Sequence, residues 1–305
     1  METPESAKTQ TWRTVGGDLS DIEWELIADL VAPYWSPGSM GRPIKHNRRD
    51  IVNAIFYVAA TGCQWRNLPT SYPHWNTVHR YHVTWSRDGT WEKVADRLRE
   101  LVRETEGRDP EPSAGIIDAR SVRGTPTVTS LTRGYDAGKK ISGRKVFGLV
   151  DTIGLLLGVT VLVASTSDNA GGIAVFEVAR EKSERLKMLW VDSGFKTAFA
   201  AHCRAHHVAV EVVKRIHPHA FVVLPRRWVV ERTWSWLMAN RRLQVDYERD
   251  PEVTQGFIWA AHSRLPHPIP DACGTTNNNA STSTVNKPLD KGASDTPDPG
   301  HLQRS

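Results

Sequence analysis

Two aspartates follow short apolar runs that are typical of buried strands. Asp118 comes after an Ile-Ile pair and Asp192 after a Trp-Val pair. Ligand sites of open α/β sheets form at the carboxyl ends of strands, so neighbouring strands would bring both carboxylates to one point. Carboxylates that close raise each other's pKa unless a cation neutralises them, and oxygen ligands suit Mg²⁺ or Mn²⁺. For either aspartate alone a turn or capping role is the simpler interpretation, whereas for the pair both interpretations are equally good.

A third carboxylate, Glu231, stands in an arginine-rich segment that is predicted to begin a helix. Its neighbour Val230 belongs to the apolar stripe of that helix, which places Glu231 at the edge of the stripe. Three carboxylates can hold two divalent ions about 4 Å apart, an arrangement that cleaves phosphodiesters. Arg226, Arg227 and Arg232 would then bind phosphates. The alternative is an exposed ion-pair face, since Arg227 lies four residues before Glu231.

The elements around these acids predict an α/β catalytic domain over residues 115–265. Strands are predicted over 115–118, 145–151, 155–164, 188–192 and 208–213, and the second and third form a hairpin. Helices are predicted over 169–180, 196–206 and 227–240. Strands that alternate with helices after a hairpin give a mixed sheet. The Gly- and Pro-containing segment 108–114 is predicted to be a linker.

Residues 18–107 predict an all-α domain, with a first helix that Asp18 or Ser20 caps and that ends at Pro33, and further helices over 47–61, 74–87 and 91–104. A Pro-containing turn precedes the third of these helices, which carries Asn76, Thr77 and Arg80. Helix, turn and polar-basic helix is the outline of a helix-turn-helix, in which these three residues would contact DNA. A plain helical bundle with an exposed basic face has the same pattern, and periodicity alone favours the bundle.

Composition limits the class of protein. The 305 residues have a formal net charge of +5, too small to identify a partner by itself. No apolar run reaches the ~18 residues of a membrane span, and residues 1–17 lack the apolar core of a signal peptide. We therefore expect a cytoplasmic protein with a flexible N-terminus over residues 1–17. Residues 266–305, rich in Asn, Ser, Thr, Pro and Gly, predict a disordered tail.

Cysteine and histidine spacing gives little support for a zinc site. The three cysteines lie far apart without a CxxC pair, which argues against a disulfide framework or thiolate zinc site. His202, Cys203 and His206 lie in one predicted helix and His207 follows it, but the i, i+4 histidine pair lacks a partner motif. A polar helix face is the preferred interpretation there.

Four longer motifs carry a family resemblance. The chain resembles the DDE transposases of bacterial insertion sequences, in the "IS five" group, over residues 18–250. The resemblance rests on the strings GYDAGKKISGRK at 134–145, VDTIGL at 150–155, VDSGF at 191–195 and FVVLPRRWVVERT at 221–233. The segment GCQWRNLP at 62–69 is similar to the family's helical DNA-binding region.

The resemblance implies a ribonuclease-H-like catalytic domain with two Mg²⁺ or Mn²⁺ ions. Asp118, Asp192 and Glu231 match the family's three catalytic and metal-binding carboxylates, and Arg227 matches the signature arginine. Leu224 and Met238 depart from that signature, which leaves the handling of terminal bases open. The implied further phosphate contacts near the active site are Lys139, Lys140, Arg144 and Lys145, each of which an exposed basic loop explains equally well.

The implied activity is hydrolysis at the ends of an insertion element, followed by transfer of the freed 3′-hydroxyl to target DNA. Its partners would be the terminal inverted repeats, target DNA and further copies of the chain, in the cytoplasm at the nucleoid. Two alternatives stay open. A transposase-derived DNA-binding protein would have lost catalysis, which the low-complexity C-terminus and short segments favour. A metal-dependent nuclease of the same fold would cleave without joining 3′ ends.

Overall fold

The computed structural model describes residues 17–31, 46–213 and 225–264, the last range without the side chains of residues 225–227. Its strands are β1 (Ala114–Arg123), β2 (Gly134–Asp136), β3 (Ile141–Asp151), β4 (Leu156–Val163), β5 (Met188–Val191) and β6 (Ala209–Val212). Its helices are α1 (Asp21–Glu25), α2 (Arg48–Thr61), α3 (Trp75–Arg87), α4 (Thr90–Thr105), α5 (Asp168–Arg180), α6 (Ala198–Ala205), α7 (Pro225–Met238) and α8 (Pro251–His262).

All of these strands belong to one mixed sheet. β3 runs antiparallel to β1 on one side and to β2 and β4 on the other, and β5 and β6 continue the sheet parallel to β1. The order β4-β3-β1-β5-β6 makes β1 and β5 direct neighbours. Their register pairs Ala114 with Met188 and Ile116 with Trp190. The predicted hairpin corresponds to β3 and β4, joined at Asp151–Leu155.

Helices cover both faces of the sheet. α5 and α6 pack on the face that carries Ile117 and Phe147, in a cluster with Phe176, Phe195 and Phe199. On the opposite face, Ile116 and Val146 belong to a larger cluster that includes residues of α2, α3, α4, α7 and α8. The alternation of Ile116 and Ile117 between the two clusters follows from the two-residue period of a strand.

The N-terminal helices begin and end where their capping residues predict. The side chain of Asn47 accepts a hydrogen bond from the Arg49 amide at the start of α2, and Gly62 ends that helix with a left-handed φ of 68°. His74 caps α3. The predicted first helix is shorter than expected: α1 covers only five residues, with Ser20 and Glu23 forming a capping box.

The helical region shares its core with the α/β region. α8 contacts α2, α3, α4 and β4, and the buried His82 of α3 bonds to the Val253 carbonyl at 3.3 Å. The predicted linker is bonded too, since Arg103 donates to the Asp109 carbonyl at 2.7 Å and Ser183 to that of Pro112 at 2.9 Å. The division into domains at 107 and 115 stays a prediction.

The end of the first strand differs from the prediction. β1 does not stop at Asp118 but continues to Arg123, because β3 pairs with it along its whole length. Three of the five residues after Asp118 (Arg120, Ser121 and Arg123) are polar, so the continuous apolar run that marks a buried strand ends before the strand does.

All described residues belong to one compact unit. The predicted tail 266–305 and residues 1–16 of the predicted flexible N-terminus lie outside the described residues. Among the helices that the structure describes, none has the length and apolar character needed to span a membrane.

Candidate active site

Asp118 lies at the point of β1 where its pairing with β5 ends. The ladder pairs β1 and β5 up to Ile116 and Trp190, so Asp118 is the second residue beyond it. Because side chains alternate along a strand, Asp118 shares the face of Ile116, on which α7 packs. The indole Nε1 of Trp234 in α7 donates a hydrogen bond to Asp118 Oδ2 at 3.0 Å.

Asp192 follows the last residue of β5 and corresponds to Asp118 in the register of β1 and β5. The offset of 74 residues that joins Ala114 to Met188 also joins Asp118 to Asp192. Both aspartates therefore stand at corresponding positions just beyond the paired part of two adjacent parallel strands, which are about 4.8 Å apart where they pair. A tight turn follows, in which the Gly194 amide donates to Asp192 Oδ1 at 2.8 Å.

Glu231 belongs to the second turn of α7, beside this strand edge. Its neighbour Val230 lines a cleft with Asp118, Asp192 and Trp190. Glu231 is also three residues before Trp234, the donor to Asp118, and residues at i and i+3 lie on one side of a helix. The side chain of Glu231 is exposed. In the described part of the chain, the carboxylate oxygens of Asp118, Asp192 and Glu231 do not all lie within 4.8 Å of one another.

A glycine on β3 makes room for the indole of Trp234. Gly148 is the register partner of Asp118, and a Cβ built on it would meet Trp234 Cζ2 at 3.0 Å and Cη2 at 3.1 Å. The ring thus lies against the backbone of β3 while its N–H reaches the carboxylate on β1. The helix that carries Glu231 is held at the site by this contact.

Lys139 and Lys140, two of the predicted phosphate-binding residues, lie in the exposed turn between β2 and β3. Lys139 Nζ donates at 3.1 Å to the carbonyl of Ala119, the residue directly after Asp118. A positive charge therefore stands one residue from the first carboxylate. Arg120, exposed and two residues after Asp118 on the same strand face, adds a second.

Arg144 and Lys145 are in a different environment from the one predicted. Arg144 is 0% exposed, and its guanidinium donates to Asp246 Oδ2 at 2.9 Å and to five further oxygens. Lys145 is 8% exposed and bonds to Asp168 Oδ1 at 2.6 Å. The enclosure of Arg144 and the ion pair of Lys145 with Asp168 disfavour the predicted phosphate contacts of both residues, which stay predictions.

Arg232 lies between two tryptophans on the outer side of α7. Its guanidinium carbon is 4.7 Å from the ring centre of Trp228 and 4.6 Å from that of Trp236, and Nη2 donates to the Ile153 carbonyl at 2.7 Å. Burial lowers the pKa of Arg232. Trp228 is 47% exposed, so this stack forms an aromatic surface beside Glu231. Arg226 and Arg227 are in the first turn of α7, with side chains outside the described part.

The predicted DNA-reading residues of the helical region are accessible. Asn76 and Arg80 are exposed and Thr77 is half-buried, all on α3. The connection from α2 to α3 spans residues 62–74 and contains a short 3₁₀ turn, Trp65–Asn67. It is longer than the three- or four-residue turn of the usual helix-turn-helix.

Sequence reasoning missed Trp234 and Arg120 as residues of this site. The signal for Trp234 was its place in a buried stripe, since a buried indole N–H needs an acceptor. Arg120 was missed because the strand was predicted to end at Asp118, which hid the shared face.

Two family models match the chain. One, described as "Putative transposase of IS4/5 family", matches residues 19–95, and the other, described as "Transposase DDE domain", matches residues 109–265. The second covers just over half of the chain. The chain belongs to the DDE transposases of the IS4/5 type.

No curated protein matches this transposase. One similar solved structure is described as "Crystal structure of a pre-cleavage Mos1 transpososome"; the similarity covers 75% of this chain and 80% of that one, with 10% identity and a TM-score of 0.23.

Family membership confirms the predicted fold class. The DDE match over 109–265 contains all the strands described above, and the preceding match contains α1, α2 and α3. A ribonuclease-H-like mixed sheet preceded by an all-α region is the architecture of this transposase. DDE domains generally use divalent metal ions, and the oxygen-only set of Asp118, Asp192 and Glu231 fits such ions.

Proposed function

We propose that this transposase cleaves phosphodiesters at the ends of an insertion element and joins the freed 3′-hydroxyl to target DNA. The observation that carries the proposal is that Asp118 and Asp192 stand at corresponding positions, two residues beyond the last paired residues of the adjacent parallel strands β1 and β5. The neighbouring residue of Glu231, Val230, lines the same cleft.

Asp118, Asp192 and Glu231 are proposed as the catalytic residues and as the ligands of two Mg²⁺ or Mn²⁺ ions. Two such ions, when bound, activate the attacking oxygen and stabilise the leaving oxygen of an in-line displacement. Trp234 orients Asp118 through its 3.0 Å bond, and the Gly194 amide orients Asp192. These bonds support the carboxylates in fixed positions, which a pre-organised site requires.

Phosphate binding near the cleft is assigned to Lys139, Lys140 and Arg232, together with Arg226 and Arg227. The position of Lys139 Nζ at the carbonyl after Asp118 supports this assignment, since a phosphate at the cleft needs cationic neighbours. The exposed Trp228 offers a flat surface on which a base can stack.

We assign Asn76, Thr77 and Arg80 of α3 to contacts with the terminal inverted repeats. Cleavage at two element ends and joining to target DNA require more than one copy of the chain on DNA, so the proposed partners are both DNA segments and a second copy. The proposed location is the cytoplasm, at the nucleoid.

The test uses purified full chain, Mg²⁺ and a labelled linear DNA that carries the sequences flanking the gene, with a supercoiled plasmid as target. We expect cleavage at the element ends and labelled plasmid joined to the 3′ ends. Asp118→Asn and Asp192→Asn should lose both products. The exposed helix residue Glu104 supplies the matched control, since Glu104→Gln removes a carboxylate far from the cleft in sequence and should keep both.

The two alternatives give different products. Cleavage without joining favours a nuclease of this fold. Wild-type protein that binds the flanking DNA and yields neither product, with Mn²⁺ as well as Mg²⁺, favours a transposase-derived DNA-binding protein.

A further inference from the structure

A second cluster of potential metal ligands lies between α5 and α6. Glu177 of α5 faces His202 of α6 and His206, the residue that ends α6. One ligand atom from each of the three residues lies within 4.8 Å of the other two. The sequence showed the histidine pair at i, i+4 without a third ligand, and the fold supplies one from a helix 25 residues earlier.

The two histidines approach the same carboxylate oxygen of Glu177 at different distances. His202 Nε2 is 2.6 Å from Glu177 Oε1, a short hydrogen bond, whereas His206 Nε2 is 3.6 Å from the same oxygen. At 3.6 Å the contact is too long for a hydrogen bond. His206 nevertheless directs its ring nitrogen toward that oxygen, so both imidazoles converge on one carboxylate atom.

Neighbouring side chains fix the orientation of all three groups. Arg180 Nε binds the other carboxylate oxygen, Glu177 Oε2, at 2.5 Å and so leaves Oε1 facing the histidines. The ring centre of Phe176 is 5.9 Å from that of each histidine. Ligands held by outer contacts in this way are typical of metal sites.

The donor set is two imidazole nitrogens and one carboxylate oxygen. Burial raises the pKa of Glu177, but hydrogen bonds from His202 and Arg180 outweigh it and lower that pKa below its ordinary value, so the carboxylate is charged. Cys203 is not a ligand, since its side chain is buried in the core and burial raises the pKa of its thiol to about 12. Two histidines and a glutamate are a common zinc set that leaves one coordination position open.

We propose that Glu177, His202 and His206 form a Zn²⁺ site that joins α5 to α6. The helices flank the turn after Asp192, because α6 follows that turn and Asp168, the first residue of α5, lies against Gly194. Zinc at this position stabilises the helix pair on the sheet face opposite Asp118. The proposal does not depend on catalysis and is tested without DNA.

The experiment titrates metal-stripped full chain with Zn²⁺ by calorimetry and with Co²⁺ by visible absorption, and measures Tm with and without Zn²⁺. In an Asp118→Asn background, which weakens the candidate active site, we expect one tetrahedral Co²⁺ spectrum per chain and a Zn²⁺-dependent rise in Tm. Glu177→Gln, His202→Gln and His206→Gln should each weaken binding at least about tenfold.

The adjacent exposed His207 supplies the control, and His207→Asn should bind like its parent. His206→Gln is the decisive variant because His206 makes no hydrogen bond of normal length to Glu177. The proposal is overturned if neither ion binds in the Asp118→Asn background, if His206→Gln binds as tightly as its parent, or if His207→Asn loses binding equally.

Discussion

Replacing Arg144 by methionine should destabilise the fold rather than weaken DNA binding directly. The buried guanidinium bonds to Asp246 at 2.9 Å, to Thr132 Oγ1 at 2.7 Å and to the Arg249 carbonyl at 2.8 Å, so it ties β3 to the segment before α8. Removing one partner of a buried ion pair costs about 3–5 kcal/mol, because the remaining carboxylate stays buried without its counter-charge.

A loss of that size is a large part of the roughly 5–15 kcal/mol of a typical domain. With a urea slope of about 3 kcal/mol/M, the midpoint of unfolding should fall by about 1 M or more. The assay is urea unfolding of Arg144→Met and wild type at pH 7, followed by circular dichroism. Salt-dependent DNA binding is then measured below the unfolding transition.

Lys140→Met is the matched control because Lys140 is exposed and carries the same charge. It should change stability by no more than about 0.5 kcal/mol and reduce the salt slope of DNA binding by about one. If Arg144→Met keeps the wild-type urea midpoint and loses a phosphate contact instead, the buried assignment of Arg144 is refuted.

Three further predictions concern the site and its support. Trp234→Phe keeps a smaller aromatic ring and removes the N–H that donates to Asp118; losing a hydrogen bond of about 1.5–3 kcal/mol to a charged group should slow single-turnover cleavage about tenfold or more. Gly194→Ala should also slow cleavage, since the added Cβ would overlap Asp168 Oδ2 and lie 3.0 Å from Asp192 Oδ1, so the turn that holds Asp192 has to shift. His82, whose pKa burial lowers to about 3, should reduce stability as pH falls below about 6.5, because the unfolded chain binds the proton that the folded chain excludes. The loss should approach about 1.4 kcal/mol per pH unit, read from urea midpoints between pH 7 and 5.

Each of these has a control and a contrary result. An unchanged cleavage rate in Trp234→Phe would show that the indole N–H does not position Asp118. In Gly138→Ala the nearest atom to the added Cβ is 3.5 Å away, so this variant should cleave normally. Equal losses of cleavage rate in Gly194→Ala and Gly138→Ala would contradict the claim that crowding at Gly194 disturbs Asp192. His82→Gln should flatten the pH dependence of the urea midpoint, and a wild-type slope in that variant would contradict the role of His82.

The sequence predicted those helices and strands whose ends are set by residues adjacent in the chain. Asn47 and Gly62 mark the ends of α2 because capping and left-handed backbone are local effects. The apolar run before Asp192 likewise predicted β5 and the position of its carboxylate.

Features that depend on distant partners were not predictable in the same way. Arg144 is neutralised by Asp246, 102 residues later, so its local sequence resembles an exposed basic loop. The polar half of β1 is a strand only because β3 pairs with it. Glu177 approaches His202 through packing of two helices, which spacing along the chain does not reveal.

The same limit applies to the third carboxylate. The register of β1 and β5 relates Asp118 to Asp192, whereas the position of Glu231 beside the cleft depends on the packing of α7, anchored by Trp234 on Gly148. The claim that these three carboxylates act as one site therefore depends most on Glu231.

The most direct test is the rate of Mg²⁺-dependent cleavage of the flanking-DNA substrate by Glu231→Gln, measured beside Glu104→Gln. Loss of a metal-binding carboxylate removes several kcal/mol of transition-state stabilisation, so we predict a fall of about a thousandfold or more for Glu231→Gln and a wild-type rate for Glu104→Gln. Wild-type cleavage by a folded Glu231→Gln protein would contradict the account.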